Sequence, residues 1–314
     1  MRGATLVSAT PIAGAPADAH AFAIRYRSTG YDGRPETLSG LLIEPAGAAP
    51  AEGRPVVAWA HGTTGISEGC APSGAPGRFT QIPALADMLQ RGWVVVATDY
   101  AGLGSPGPHP YLVADATARA VLGSVAAARD HRSGSAGARF AVWGLSQGGH
   151  AALVSAERAR AMAPGLTLVG TAAAAPPTDL AANFGAGAKQ TTRGVLVAFV
   201  AGSWSRVYGG PLATLGRPHT VRLIQRLSGI CALGQGMKLG TMIGAVALGR
   251  QLRDVDAANL EPWAGLLARN SADPRGGAAA APLLIARSEA DEVVGPAITR
   301  NYARAACQAG ARLR

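Results

Sequence analysis

Residues 142–150 read Val142-Trp143-Gly144-Leu145-Ser146-Gln147-Gly148-Gly149-His150, an apolar run leading into the pattern G-x-S-x-G centred on Ser146. In that pattern the chain turns sharply from strand to helix. The two glycines give the backbone room to pack, and the serine takes strained dihedrals with its hydroxyl clear of the sheet edge. In a chain with 42 glycines the pattern alone is weak, so its flanks decide. Residues 139–143 are strand-like and 151–158 helix-like, as a strand–turn–helix requires. The chemistry this arrangement predicts is nucleophilic attack by Ser146; the plain alternative is an inert serine on a Gly-rich turn.

A neutral serine needs a base within hydrogen-bond reach, a carboxylate to orient that base, and donors aimed at the developing oxyanion. The backbone N–H after the nucleophile, here Gln147, is the expected first oxyanion donor, and the second comes from a loop after an earlier strand. His61-Gly62-Thr63-Thr64-Gly65 fits that loop, with the Thr63 N–H as donor and the Thr64 hydroxyl as accessory. His61 itself reads as the residue that pins the loop. Asp291 follows the apolar run 283–287 and is placed to orient a base, with Glu289 and Glu292 as fallbacks and a solvated acidic loop as the plain reading. The base is the unfilled part. The expected chain order is Ser, then Asp or Glu, then His, and no histidine follows Asp291 in this sequence. His150 rides on the helix after Ser146 and reads as a packing residue. His109, in a Pro-rich loop, and His219 are the surrogate candidates.

Around these residues the chain alternates strand and helix. Residues 21–28 and 38–45 flank a turn and read as antiparallel strands. Residues 55–60 and 93–99 are continuous apolar runs of the kind found in strands buried on both faces. Between and after them come helical patterns at 83–91 and 113–130, then the strand and helix around Ser146 and a further strand at 166–174. From 179 to about 277 the alternation breaks down into short apolar pieces, including 195–200, 221–227 and 239–252, which read as a cap. Strand 282–287, helix 297–309 and the beginning of another strand at 311–314 follow. The fold class is therefore α/β, a mostly parallel central sheet flanked by helices with a mainly helical cap insertion. The expected organisation is core 1–178, cap 179–277, core again 278–314.

Hydrophobic residues make up 48% of the chain and charged residues 15%, enough for a sizeable core. The net charge of +10 makes nucleic acid the first partner to weigh. The charge is nearly all arginine and scattered, Lys189 and Lys238 being the only lysines, and no nucleic-acid module accompanies it, so nucleic-acid binding ranks third. Loose attraction to an anionic surface stays open. Cys70, Cys231 and Cys307 lack metal-site spacing and predict one bridge with one cysteine left over. The longest apolar run, 239–249, is shorter than the ~20 residues of a membrane span. Residues 1–4 lead into Pro- and Ala-rich sequence without the apolar region of a signal peptide.

Four blocks together, Val57–Gly65 with Cys70-Ala71-Pro72-Ser73, Thr98-Asp99-Tyr100-Ala101-Gly102-Leu103-Gly104, residues 145–153 and Ala290-Asp291-Glu292-Val293-Val294, resemble the secretory lipase family, the lipase A type of α/β-hydrolase, in order along the chain. The resemblance implies an esterase or lipase with a helical cap over an acyl pocket, no cofactor, an acyl ester or lipid substrate, export from the cell and a Cys70–Cys231 bridge. It also implies a final segment carrying the catalytic histidine and a signal peptide, so both ends read as trimmed, with a histidine expected within about 30 residues beyond Arg314. The apolar, aromatic-poor cap with residues 239–248 suggests lipid-like acyl chains and so favours a lipase over a small-ester enzyme, and peripheral contact with a lipid interface is open. The competing reading, from the unfilled base, is a non-catalytic hydrolase-fold protein that binds a lipid or partner.

Overall fold

The apolar runs become strands whose side chains alternate between two buried faces. In the computed structural model, which describes residues 6–185, 190–232, 239–252, 255–276 and 281–314, eight strands form one sheet. Lys189, Lys238, residues 1–5 and residues 277–280 of the Gly/Ala stretch lie outside the described residues. The strands are β1 (Leu6–Pro11), β2 (Ala19–Thr29), β3 (Pro35–Pro45), β4 (Arg54–Ala60), β5 (Val94–Thr98), β6 (Ala136–Leu145), β7 (Thr167–Ala174) and β8 (Leu283–Ala286). Their order is β1-β2-β3-β5-β4-β6-β7-β8. The first three pair antiparallel, β3 joins β5 antiparallel, and β5, β4, β6, β7 and β8 run parallel. This is the α/β-hydrolase fold. Strand β1 has no counterpart in the sequence reading, because it is a half-exposed edge strand without an apolar alternation.

On β4 and β5, Val56, Ala58, Val94 and Val96 face one core, and Val57, Trp59, Val95 and Ala97 face the other. The first core is covered by α2 (Ala114–Arg129) and α3 (Gln147–Met162), with Tyr302 and Ala306 of α9 (Pro296–Gln308). The second is covered by α1 (Leu85–Gln90) through Leu85, Met88 and Leu89. Half of the buried positions of α2 are alanine, which lets it lie close to both the sheet and α3. Full burial of each valine of β5 contributes roughly 1.5–3 kcal/mol, so the strand that precedes Asp99 is firmly held.

Between β7 and β8 the described chain is helical: α4 (Leu180–Gly185), α5 (Gln190–Tyr208), α6 (Pro218–Leu227), α7 (Leu239–Gln251) and α8 (Trp263–Asn270). They share a separate apolar core that also takes in Ile66, Tyr111, Leu112 and Val113 from the loops at the carboxyl edge of the sheet. Helix α5 is tied to those loops by polar bonds as well. Ser203 Oγ donates to the His109 carbonyl at 2.6 Å, and Trp204 Nε1 donates to the Tyr111 carbonyl at 2.9 Å. Among the described residues no helix is long and apolar enough to cross a membrane. At the other end of the sheet edge, Leu313 bridges Leu283 in parallel, where the sequence reading expects a strand to begin.

Candidate active site

Ser146 stands between β6 and α3 with φ 56° and ψ −117°, a conformation that costs a non-glycine residue about 1–3 kcal/mol. Its neighbours over-determine it. Ser146 N donates to the Ala174 carbonyl at 2.8 Å, and the Ser146 carbonyl accepts from His150 N at 3.0 Å as the first helical bond of α3. The two glycines of the pattern are required by contact. A Cβ on Gly144 would lie 1.9 Å from the Gly148 carbonyl oxygen, and one on Gly148 would lie 1.8 Å from the Ala60 carbonyl oxygen. The second contact also sets the 61–65 loop against the first turn of α3, since the His61 carbonyl oxygen is 2.8 Å from the same position.

A cavity of about 70 Å³ opens beside Ser146 and Gln147. Its wall is largely apolar and comes from α4, α5 and α8, with Val293 and Val294 on one rim and Tyr111 on another. The apolar run 239–248 does not form this wall. Ala245 and Leu248 of α7 pack into the cap core instead, and no described residue of α7 reaches the cavity. The run is apolar because α7 lies against α5 and α6.

Gln147 is buried, and its side-chain amide donates to Nε2 of His109 at 3.2 Å. Thr63 is half-buried; its hydroxyl shares a 2.7 Å hydrogen bond with the Tyr111 hydroxyl, whose pKa burial pushes up to about 12, so it stays protonated. Thr63 is therefore linked to the cavity through Tyr111. Thr64 is not. Its hydroxyl is shielded from solvent, has no hydrogen-bond partner and does not line the cavity, so the accessory role expected for it has no geometric support. His61 pins the loop: Nδ1–H donates to the Gly62 carbonyl at 2.7 Å, the ring lies 4.4 Å from that of Tyr100, and burial lowers its pKa.

Asp291 Oδ1 accepts from the backbone N–H of Val293 at 2.8 Å and of Val294 at 3.0 Å, which fixes the loop that carries those two side chains to the cavity. Glu289 is committed elsewhere, bonded to Arg287 and to Arg300 Nη2, and the Arg287 hydrogen bond holds its pKa below the usual range. Glu292 is exposed.

None of the six histidines lines the cavity. His109 is buried and donates from Nδ1 to the Ala101 carbonyl at 2.7 Å; burial drives its pKa to about 3. His150 donates from Nε2 to the Asn270 carbonyl at 2.7 Å and is pushed to about 4 by burial. His219 is exposed at the start of α6, His131 contacts Glu44 and Ser133, and His20 lies on β2. The surrogate bases are thus not brought to Ser146.

A disulfide joins Cys70 to Cys231, and the Thr64 carbonyl accepts from Ala232 N at 2.8 Å, so the cap is tied directly to the 61–65 loop. Cys307 is free and exposed. Asp99 is a buried residue the sequence reading did not single out. It accepts from Ser39 Oγ and Ser73 Oγ, both at 2.6 Å, and from Ser73 N at 2.9 Å, clamping the segment after Cys70 to β3. Its position directly after a buried strand was the available signal.

With that geometry, the relatives are informative. The profile described as secretory lipase matches residues 78–207, a span that includes Ser146 and its elbow. The family matched is the secretory lipases. A protein of Mycobacterium tuberculosis named a probable inactive lipase is 32% identical over 173 residues, 51% of this chain and 37% of that protein. The match thus spans well under half the length of this relative. Among solved structures, the rice cell wall degrading esterase LipA from Xanthomonas oryzae superposes with a TM-score of 0.80 at 20% identity, covering all of this chain and 90% of that one. Candida antarctica lipase A superposes with a TM-score of 0.77 at 17% identity, covering all of this chain and 76% of that one. These two likenesses carry the fold.

Proposed function

We propose that the chain is a serine carboxylic ester hydrolase that works through an acyl-enzyme on Ser146. The observation that carries this is the strained Ser146 at the mouth of an apolar cavity, with the Gln147 amide beside it. Ser146 Oγ attacks the ester carbonyl, the tetrahedral oxyanion takes hydrogen bonds from the Gln147 and Thr63 backbone N–H groups, the alcohol leaves, and water releases the acid. A general base takes the Ser146 hydroxyl proton and passes it to the leaving alcohol, and Asp291 is the carboxylate proposed to orient that base. Transfer of the acyl group to another alcohol is the same chemistry with a different acceptor. The apolar wall supports acyl esters of lipid character as substrates, and the secretory lipase match supports a secreted or envelope location. No cofactor enters this scheme.

The same geometry favours a second reading. None of the six histidines of this sequence lines the cavity, where a general base contributes roughly 10²–10⁴-fold, and the name of the Mycobacterium relative points the same way. In that reading the cavity binds an acyl ligand without turnover. Release of p-nitrophenol from p-nitrophenyl butyrate by this chain separates the two. Slow release abolished by Ser146→Ala supports the hydrolase. Release equal to the uncatalysed rate, with the ester still bound, supports the binder.

A further inference from the structure

In the ester scheme the second oxyanion donor is the Thr63 N–H, and two hydrogen bonds hold that residue from different sides. The first acts on its backbone. The Gly62 carbonyl accepts from His61 Nδ1–H at 2.7 Å. That carbonyl and the Thr63 N–H belong to one planar trans peptide and point in opposite directions, so the bond turns the N–H away from the His61 ring. The same stretch lies against the elbow, since a Cβ on Gly62 would be 3.3 Å from the carbonyl oxygen of Leu145, one residue before Ser146. Among the described residues the Thr63 N–H makes no backbone hydrogen bond of its own.

The second hold acts on the side chain. Thr63 Oγ1 shares a 2.7 Å hydrogen bond with the Tyr111 hydroxyl, its one side-chain partner among the described residues. Tyr111 is buried, lines the cavity and is itself fixed by the cap. Its backbone N–H donates to Ser203 Oγ at 2.9 Å, its carbonyl accepts from Trp204 Nε1 at 2.9 Å, and its ring meets that of Phe199 edge-on with centroids 6.0 Å apart. Phe199, Ser203 and Trp204 all lie on α5. One tyrosine thus connects a cap helix to the residue that carries the proposed donor.

We infer that Tyr111 is a positioning residue for the oxyanion, whose hydroxyl, anchored on α5, holds the Thr63 side chain and with it the tilt of the 62–63 peptide. The inference rests on the ester-hydrolysis reading of Ser146 and adds the residue through which the cap sets its second donor. Tyr111 acts through Thr63 and not on the reacting atoms. Without its hydroxyl, the His61 bond is left as a hinge about which the peptide can tilt. A tilted donor weakens a bond to a full oxyanion more than a bond to a neutral ester oxygen, so the loss falls on the reaction step and not on binding.

The test is the inactivation of the full chain by a fluorophosphonate ester, with kinact and KI measured separately and the site of the adduct confirmed by peptide mapping. Tyr111→Phe keeps the ring and both backbone bonds to α5 and removes the hydroxyl alone. Its kinact is expected to fall about 10–100-fold, the scale of a small misplacement near the reacting atoms, with KI as before. Thr63→Val removes the other end of the same bond without disturbing the buried α5 contact, and the same loss is expected. The double variant is expected to fall no further than the slower single one, because both changes delete one interaction. A wild-type kinact in Tyr111→Phe, a loss that appears in KI instead, or losses that multiply in the double variant overturn the inference while leaving the ester reading intact. A folded wild-type chain that takes no adduct at Ser146 overturns the inference and the ester reading together.

Discussion

The side-chain amide of Gln147 donates to Nε2 of His109 at 3.2 Å, and the Nδ1–H of the same ring donates to the Ala101 carbonyl at 2.7 Å. The second bond fixes the tautomer, and burial keeps the ring neutral down to about pH 3. His109 therefore accepts from Gln147 and is not available to take a proton from Ser146. Its place in the fold is to hold the residue whose backbone N–H the ester mechanism uses.

His109→Leu removes that acceptor and strands the Gln147 amide in a buried site. The rate of Ser146 phosphonylation is expected to fall roughly 10–100-fold, as for other small misplacements of reacting groups. His109→Gln supplies an amide oxygen at a similar reach and is expected to recover most of the rate. If both variants fold and react alike, the contact only fills space.

Gly148→Ala drives a methyl group into the Ala60 carbonyl oxygen at 1.8 Å, and both contacts are backbone, so neither side can swing away. The expected loss is at least about 3 kcal/mol in urea unfolding, the upper end for overpacking. Gly165→Ala, where nothing lies within 4 Å, serves as the control and is expected to leave stability within about 1 kcal/mol. Equal effects would mean that the elbow is looser than its geometry.

His150 carries a pH signature. Its folded pKa of about 4 lies below the ordinary 6.5, so the unfolded chain gains a proton as pH falls through 6.5 and the folded chain refuses it until about 4. The stability His150 confers is thus complete above 6.5 and is lost on acidification between 6.5 and 4. Relative to His150→Gln, the wild-type chain is expected to lose up to ~1.4 kcal/mol per pH unit in that window. A difference that does not vary with pH would mean that His150 protonates as readily folded as unfolded.

Much of the fold was legible because its signals are local. Buried strands such as β4 and β5 are continuous apolar runs, and the G-x-S-x-G turn announces itself through two glycines that contact forces. The cap was harder to read. Helix α5 is buried on several sides, so its apolar residues have no helical period, and α7 sends Ala245 and Leu248 into the cap core while Met242 and Ile243 stay exposed. The partners of Gln147 and Thr63 were hidden for a different reason. His109 and Tyr111 sit far along the chain in an irregular Pro-rich loop, and only the packing of α5 against that loop, through Ser203 and Trp204, delivers them to the site.

The central claim, that Ser146 is the presented nucleophile of this site, is tested most directly by intact-mass analysis and peptide mapping after incubation with a fluorophosphonate ester. A single phosphonyl adduct on Ser146 is predicted, absent in Ser146→Ala. Its rate is predicted to climb steadily with pH without a step near the histidine value of about 6.5, because no histidine of this chain lines the cavity. A chain that unfolds cooperatively yet stays unlabelled at Ser146, or takes its adduct at another residue, would contradict the account.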